Sequence, residues 1–290
     1  MKVVVAAFDR VSDPRQLILQ VDPPSFNQGR PPSLEIQHVV KDGWFKNDEK
    51  GRLIPSQIDF LLPLYWNRVC RKSVSSLHED HLMKTDNHIL PPNFRLIDTE
   101  KMCIVPADSL LEYIALSYTW GKDKQFKLFQ NNYQELSKEN ALVLYEHQIP
   151  QTIKDAMFLV KRLGDRYLWV DALCILQDPE CEDKKVQLPY MNRIYSSSVL
   201  TIAAAYGEGA DAGLPGVRPN SRKRIQHIEI IQGISLANRP WSFAKSVTDS
   251  TWNTRAWTFQ ERILSSRMLF ITEQQIFFKC DHVAQVLAED

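Results

Sequence analysis

One carboxylate in this chain is placed where it could act on a positively charged intermediate. The stretch "NTRAWTFQERILSSRMLFIT" (residues 253–272) puts Trp257 and Glu261 four residues apart on a predicted helix, just before a predicted strand. Positions four apart share a helix face, so a Trp257 that turns inward draws Glu261 toward the same cleft. A carboxylate in a dry, aromatic-walled cleft can stabilise positive charge that develops in a transition state.

The same stretch also allows a purely structural interpretation. Trp-x-x-x-Glu spacing arises easily by chance in a chain with 7 tryptophans, so the spacing alone is weak evidence. In this alternative, Trp257 packs in the core while Glu261 faces solvent or pairs with Arg255 or Arg262. The position of the helix in the fold must distinguish this structural interpretation from the catalytic one.

A regular alternation of strands and helices after residue 110 supplies that position. Apolar runs predict buried strands, and amphipathic segments between them predict helices, the first capped by Thr152 and Gly164. The order is β-α-β-α-β, with strands at 113–121, 167–175 and 199–206 and helices at 150–164 and 186–197. Right-handed crossovers make this an α/β fold, a doubly wound parallel sheet with helices on both faces. Such sheets bind ligands at the carboxyl ends of their strands.

Polar and aromatic residues mark those carboxyl ends. Tyr118 and Trp120 are candidate walls for a ligand, although aromatic residues at such positions are more often core or rim residues. Asp171 is placed to hold a ribose hydroxyl or, more commonly, to cap the next helix. Cys174 lies in an apolar run and is predicted to be inert packing. In chain order the strand-end residues are Ser117, Tyr118, Thr119, Trp120, Asp171, Cys174, Tyr206 and Gly207.

Several other kinds of site are disfavoured. The chain has no GxxxxGK[ST] sequence, which excludes a P-loop. The glycine-rich "YGEGADAGLPG" lacks dinucleotide-binding spacing and carries two acidic residues, so we expect a loop. Cys70, His78 and His81 lack a fourth ligand at familiar spacing, so no metal site is predicted.

Composition narrows the class of protein. The 290 residues include 35 basic and 35 acidic side chains, which disfavours nucleic acid or an anionic membrane as a partner. No stretch is long and apolar enough for a signal peptide or a membrane span. Five cysteines without paired spacing are typical of reduced thiols. We therefore expect a cytoplasmic protein without disulfides.

The first 95 residues differ from the rest. "VDPPSFNQGRPPS" (residues 21–33) contains four prolines and predicts an exposed connector. The remaining apolar residues of this part are few and are interrupted by proline. We predict an irregular N-terminal extension over residues 1–95 that packs on a domain over residues 96–290.

Several blocks of sequence, in this order, resemble one family. They are "PPNFRLID", "YIALSYTWG", "YLWVDALCILQD", "QLPYMNRIYSSSVLTIAAAYG", "GLPGVRP" and "TRAWTFQERILSSRMLFI". Together they look like the fungal heterokaryon incompatibility (HET) domain, across roughly residues 94–281. The resemblance implies a role in fungal non-self recognition, as an effector or trigger of programmed cell death. It also implies a flavodoxin-like sheet distantly related to the TIR domain.

The TIR relationship carries a possible chemistry. In TIR domains that cleave NAD, a Glu within Trp-x-x-x-Glu is catalytic, and Trp257 with Glu261 resembles that pair, while Ser117 and Tyr118 resemble the Ser-Tyr of the first strand. Nicotinamide leaves NAD as a neutral molecule, so one carboxylate suffices, unlike sugar hydrolysis with its two. The resemblance thus implies Glu261 as catalytic residue, NAD as substrate rather than cofactor, and Ser117, Tyr118, Trp120, Asp171 and Trp257 around it.

Two alternatives remain open at this point. A non-enzymatic signalling module would act by homotypic assembly, and its partners would be itself or other cell-death signalling proteins. A truncated or degenerate HET protein would have no activity. Pocket geometry separates the enzyme from the module: a Glu261 that opens toward Trp120 and Tyr118 favours the enzyme, and one in an outer salt bridge favours the module.

Overall fold

The computed structural model describes residues 17–20, 33–40, 51–77, 90–122, 125–223, 225–281 and 286–290. Its strands and helices alternate along most of this length. The strands are β1 (Leu17–Gln20), β2 (Ser33–Val40), β3 (Gly51–Arg52), β4 (Arg95–Asp98), β5 (Cys103–Pro106), β6 (Tyr113–Ser117), β7 (Tyr167–Trp169), β8 (Leu200–Ala204), β9 (Ile228–Ile231), β10 (Ile234–Asn238), β11 (Arg267–Ile271), β12 (Ile276–Cys280) and β13 (Leu287–Ala288). The helices are α1 (Leu61–Leu77), α2 (Gln130–Leu136), α3 (Ala141–Leu144), α4 (Gln151–Arg162), α5 (Asp171–Cys174), α6 (Glu182–Gln187), α7 (Met191–Ser197), α8 (Phe243–Thr248) and α9 (Ala256–Leu264). No helix in these ranges is long and apolar enough to cross a membrane.

A mixed eight-stranded sheet forms the centre, in the order β13-β12-β11-β8-β6-β7-β4-β5. Strands β7, β6, β8 and β11 are mutually parallel, and the flanking strands run antiparallel. Every residue of β6 and β8 is buried, because helices cover both of their faces. The predicted α/β class is confirmed, and so is the prediction that the first, second and third strands are parallel neighbours. The structure adds that the first of them, β6, lies in the middle.

The predicted boundaries need three corrections. Strand β7 ends at Trp169, and residues 171–174 form a helical turn instead of continuing the strand. A short apolar run does not distinguish a buried strand from a buried turn of helix, which is why the sequence misled here. The predicted helix at 186–197 is divided by a 3₁₀ turn, Leu188–Tyr190, because Pro189 has no N–H to donate.

The third correction concerns the predicted helix at 150–164, which is α4. Its N-cap is Pro150 rather than Thr152, whose hydroxyl accepts a hydrogen bond from Gly213 N at 3.1 Å. The neighbouring Asp155 also faces this loop and accepts from Leu214 N. Gly164 follows the helix with φ +79°, as expected for a terminating glycine. Thr152 and Asp155 therefore fix the loop after β8 rather than the start of α4.

Helices α7 and α9 pack against each other on one face of the sheet. Tyr113, at the beginning of β6, donates from its hydroxyl to Ile194 O of α7 at 2.6 Å. Since side chains alternate along a strand, Ser117 at the end of β6 faces the same side. Helix α4 contacts β6 and β7 and connects them, so the right-handed crossover places it on the opposite face.

The extension predicted over residues 1–95 contributes to the core where it is described. Ile58, Phe60 and Trp66 are buried in the main hydrophobic core, and Trp66 packs on Phe278 of β12 with ring centroids 6.1 Å apart. Strand β2 pairs with β10 in a separate sheet, in the order β1-β2-β10-β9. Where it is described, this region therefore packs against the central sheet. The predicted connector at 21–33, apart from Ser33, lies outside them.

Candidate functional site

Glu261 points into the molecule from the middle of α9. Only 6% of the residue is exposed, and its Oε2 accepts a hydrogen bond from the Ser117 hydroxyl at the end of β6. The buried side of α9 consists of Thr258 and Glu261, with Ser265 just beyond the helix end. Ser265 Oγ donates to Glu261 O at 2.7 Å and also contacts Thr201 Oγ1 of β8 at 2.7 Å. The alternative of a solvent-facing Glu261 is therefore wrong.

Trp257 does not accompany Glu261 inward. It is 57% exposed, so the prediction that it turns into the core is wrong. The buried face of α9 is set by residues three and four apart, at 258, 261 and 265, and Trp257 lies to one side of that face in the first turn. Two residues four apart share a helix face only approximately, so the burial of one does not require the burial of the other.

The tryptophan that does reach the site is Trp252, in the 3₁₀ turn Thr251–Thr254. It is fully buried, and its indole Nε1 donates to Ser117 Oγ at 2.6 Å. Its ring meets Phe270 of β11 edge to face, at 5.8 Å between centroids. Ser250, which caps this turn by accepting from Asn253 N, is a sequence signal for the turn. Nothing in the sequence shows that Trp252 faces inward.

The sheet leaves room for this indole by placing small residues under it. Ser117 pairs in register with Ala203 of β8, Ala203 with Phe270, and Phe270 with Phe277 of β12. The side chains of this row of paired residues are small on β6 and β8 and large on β11 and β12. Trp252 therefore fits above the small residues. Ser117 is therefore confined beneath a buried aromatic residue at the carboxyl end of the central strand.

The rim of the site is formed by residues after β6 and β7. Trp120 Nε1 donates to Asp171 Oδ2 at 2.9 Å, and Asp171 Oδ1 accepts from Ala172 N at 2.7 Å. Asp171 is the first residue of α5, whose N-cap is Val170 without a side-chain cap, so the predicted capping role is wrong; its carboxyl instead fixes the Trp120 ring. Arg255 donates to the backbone oxygen of Tyr118. Trp120, Asp171 and Arg255 are partly exposed, whereas Tyr118 is buried.

Tyr195 of α7 closes the inner side. It is buried, its hydroxyl donates to Leu116 O at 3.4 Å, and it lies close enough to Glu261 to lower the pKa of that carboxyl. The amphipathic pattern of the 186–197 segment predicts an inward-facing Tyr195 but gives no signal that it reaches Glu261. Sequence reasoning therefore missed two members of the site, Tyr195 and Trp252, and named Arg255 only as a possible ion-pair partner of Glu261.

Burial shifts the pKa of Glu261 into the neutral range. Burial raises the pKa of its carboxyl from 4.5 to about 7. Hydrogen bonds from Ser117 and Tyr195 and the positive charge of Arg255 oppose that rise, while the negative charge of Asp171 adds to it. Burial also raises the pKa of Asp171, against the hydrogen bonds from Ala172 N and Trp120. The site thus holds two nearby carboxyls, one of which changes charge near neutral pH.

The other candidates do not join this cluster as reactive groups. Cys174 is buried, and burial raises the pKa of its thiol to about 12, as expected for inert packing. All five cysteines are buried free thiols. Of the possible zinc ligands, His78 and His81 lie outside the described residues, and no cluster of metal-binding side chains occurs within them.

The structure thus brings together Ser117, Tyr118, Trp120, Asp171 and Glu261, and leaves Trp257 at the surface. Comparison with curated proteins and with solved structures found no match. A family model described as heterokaryon incompatibility protein (HET) matches residues 113–261, just over half of the chain. This range begins with β6 and ends at Glu261, so it spans the elements that build the site. The chain belongs to the heterokaryon incompatibility (HET) family.

Proposed function

We propose that this HET protein is an effector of programmed cell death in fungal non-self recognition, and that it cleaves NAD at the bond between nicotinamide and ribose. One observation carries the proposal. Glu261, with a pKa near neutrality, is buried against Ser117 at the carboxyl end of the central parallel strand. Perturbed carboxyls in such positions are more often functional than structural.

The topology supports a ligand at this position. Numbered by chain order, the parallel strands lie in the order second, first, third, fourth (β7, β6, β8, β11), which is the order of flavodoxin-like sheets. In that arrangement ligands bind where the strand order reverses, between the first and third strands. Ser117 and Ala203, which are paired across β6 and β8, mark this point. The strand order therefore favours the flavodoxin and TIR relationship, and Glu261 lies at its expected ligand site.

The chemistry needs only one ionised carboxylate. As the bond breaks, the pyridinium takes both electrons and leaves as neutral nicotinamide, and positive charge develops on the ribose. An ionised Glu261 would stabilise that charge in a site where water is largely excluded. Water then adds to the ribose, giving ADP-ribose and one released proton. No general acid is required, because nicotinamide leaves as a neutral molecule without taking up a proton.

Access to Glu261 must come through the rim. Since the residue is 6% exposed, the partly exposed Trp120 and Arg255 side chains would have to swing aside for a ribose to reach it. Lys127 lies 4.6 Å above the Trp120 ring and holds it from the outer side. Asp171, which fixes the same indole, is then positioned to accept a hydrogen bond from a ribose hydroxyl once Trp120 moves. Five free thiols fit a cytoplasmic location, where NAD is available.

The test compares Glu261→Gln with wild type. Purified protein is incubated with NAD, and free nicotinamide is separated and quantified. We expect Glu261→Gln to fold and to lose roughly 100-fold to 1,000-fold in rate, the range for removal of one preorganised electrostatic partner. Glu146→Gln, which changes an exposed carboxylate on another part of the surface, is the matched control and should retain full activity.

Cell killing provides the second readout. Wild type, Glu261→Gln and Glu146→Gln are expressed in fungal cells at matched protein levels, and viability and cellular NAD are measured. The proposal expects Glu261→Gln to abolish both killing and NAD loss. Equal killing by all three, with NAD unchanged, would reject cleavage as the cause of death.

A second function, signalling by homotypic assembly, is favoured by a separate observation. The outer side of α9 exposes Trp257, Phe259 and Ile263, the latter two by 69% and 59%. Large exposed apolar groups on one short helix are typical of a contact surface. Replacing Phe259 with Asp would then prevent assembly, measured by light scattering, and killing. If Phe259→Asp abolishes killing while Glu261→Gln does not, assembly rather than cleavage is the function.

A further inference from the structure

Two hydrogen bonds connect Trp252, Ser117 and Glu261 in one direction. Trp252 Nε1 lies 2.6 Å from Ser117 Oγ, and Ser117 Oγ in turn bonds Glu261 Oε2. An indole N–H can only donate, so Ser117 must accept it. The hydroxyl has one hydrogen, which then points to Glu261. When Glu261 is ionised, the direction of every hydrogen in the chain is therefore fixed by the chemistry of its members.

Each member is also fixed in place by packing. Trp252 has no exposed surface and is enclosed by the smaller hydrophobic cluster around Val247, Met268 and Phe270. Ser117 is 1% exposed and is held by the register of β6 with β8. Neither side chain can reorient without opening the core. Groups held this rigidly are suited to orienting a third group rather than to reacting themselves.

We propose that Ser117 and Trp252 are positioning residues for Glu261, which keep Oε2 as a fixed acceptor and hold the carboxylate plane so that the other oxygen, Oε1, serves the substrate. The inference rests on the proposed function for the identity of the reaction, but the hydrogen-bond chain exists independently of it. The sequence does not predict this chain of hydrogen bonds. Its four-residue spacing indicates Trp257, rather than Trp252, as the tryptophan beside Glu261.

A nucleophilic role for Ser117 is less compatible with the same contacts. A serine beside a carboxylate base resembles an activated nucleophile. However, the Trp252 N–H occupies a lone pair of Ser117 Oγ, and the 1% exposure leaves no path for a substrate atom to reach it. Ser117 therefore acts through Glu261, and Glu261 is the group that meets the substrate.

The decisive measurement follows the Trp252 indole by NMR in ¹⁵N-labelled protein without NAD. Its Nε1–H resonance is identified by its loss in Trp252→Phe. We expect this resonance to shift as pH rises from 5 to 9, with one midpoint, because ionisation of Glu261 strengthens the bond from Ser117 and polarises Ser117 toward the indole. Other charged or titratable groups facing Glu261 are Asp171, Arg255 and Tyr195. Glu261→Gln removes only the Glu261 titration and should abolish the shift.

Ser117 variants test the connection itself. In Ser117→Ala the indole resonance should no longer respond to pH, and NAD cleavage should fall roughly 100-fold, the typical cost of a misplaced catalytic group. The midpoint of the pH–rate profile should also rise, because the Ser117 hydroxyl lowers the pKa of Glu261. A merely structural role would not move that midpoint. Ser117→Thr keeps the hydroxyl and should restore both the shift and most of the activity.

The outcomes separate the two proposals. An indole resonance that stays fixed in wild type, or titrates unchanged in Glu261→Gln or Ser117→Ala, overturns the positioning role even if NAD is cleaved. A resonance that behaves as expected in a protein that leaves NAD intact supports the positioning role and rejects the reaction. If Ser117→Ala fails to fold, the comparison of wild type with Glu261→Gln still decides.

Discussion

Replacing Glu261 with Gln should change how the stability of the protein depends on pH. The folded protein raises the pKa of this carboxyl from 4.5 to about 7. Between these values the folded state binds a proton that the unfolded chain has released, so the free energy of unfolding falls as pH rises. A pKa change of this size corresponds to about 3 kcal/mol in full, at ~1.4 kcal/mol for each tenfold change in the protonation constant. Most of it, about 2 to 3 kcal/mol, is lost between roughly pH 5 and 8.

The amide introduced by Glu261→Gln has no proton to lose, while its carbonyl oxygen can still accept from Ser117. The difference in unfolding free energy between Glu261→Gln and wild type should therefore grow by about 2 to 3 kcal/mol from roughly pH 5 to 8, in favour of the variant. Urea denaturation followed by circular dichroism at several pH values measures it. Contributions from other titrating groups cancel in the difference, and Glu146→Gln serves as the control. A constant difference across this range would refute the conclusion that burial outweighs the opposing charge of Arg255 in setting the pKa of Glu261.

Three further predictions concern the site and its support. If Glu261 is catalytic, only its ionised form acts, so the rate of NAD cleavage should increase roughly tenfold per pH unit up to about pH 7 and then level off. A rate independent of pH from 5 to 8 would contradict this. Arg222 and Glu289 form a fully buried ion pair with an N–O distance of 2.6 Å, so Arg222→Met should lower the free energy of unfolding by about 3 to 5 kcal/mol, measured by urea denaturation. The double variant Arg222→Met with Glu289→Leu should recover most of this loss, and no recovery would mean that packing rather than charge is responsible. Gly121 has φ +79°, and a Cβ there would lie 2.8 Å from Gly209 Cα, so Gly121→Ala should lower the free energy of unfolding by about 1 to 3 kcal/mol; an unchanged denaturation midpoint would show that these two loops are not held together.

The central strands could be predicted because burial on both faces leaves a clear mark on sequence. "YIALS" and "LTIAA" are almost continuously apolar, and each is a fully buried strand. The parallel order then follows from the handedness of the crossovers, which depends on backbone geometry rather than on particular side chains. The same signal fails at Asp171–Cys174, where an equally apolar stretch is a turn of helix. Apolarity reports burial, and only the length of the run distinguishes the two structures.

The candidate site could be predicted only in part, for a related reason. Ser117 ends the central strand and Glu261 lies on the helix that precedes the next parallel strand, so their proximity follows from the predicted fold. Which tryptophan joins them does not. Trp252 is placed by a 3₁₀ turn and by the small Ala203 below it, and both are tertiary features. The sequence pattern indicated Trp257 because a four-residue spacing can be seen in the sequence. The space above the small residues of two neighbouring strands cannot.

A comparison of Glu261 with another buried glutamate of this chain supports the proposed functional role. Glu289 is fully buried, but both of its oxygens bond the Arg222 guanidinium, and Ile276 N donates to it as well. A buried carboxylate with a structural role is typically paired and fully hydrogen-bonded in this way. Glu261 instead accepts a hydrogen bond from the neutral Ser117 hydroxyl, and the positive charge of Arg255 only partly offsets the effect of burial on its pKa. Its ionised form is therefore held at a cost in stability, which an apolar residue at the same place would avoid. A carboxylate that is oriented but not neutralised is what stabilisation of a positively charged substrate requires, because a paired cation would cancel the field that the reaction uses.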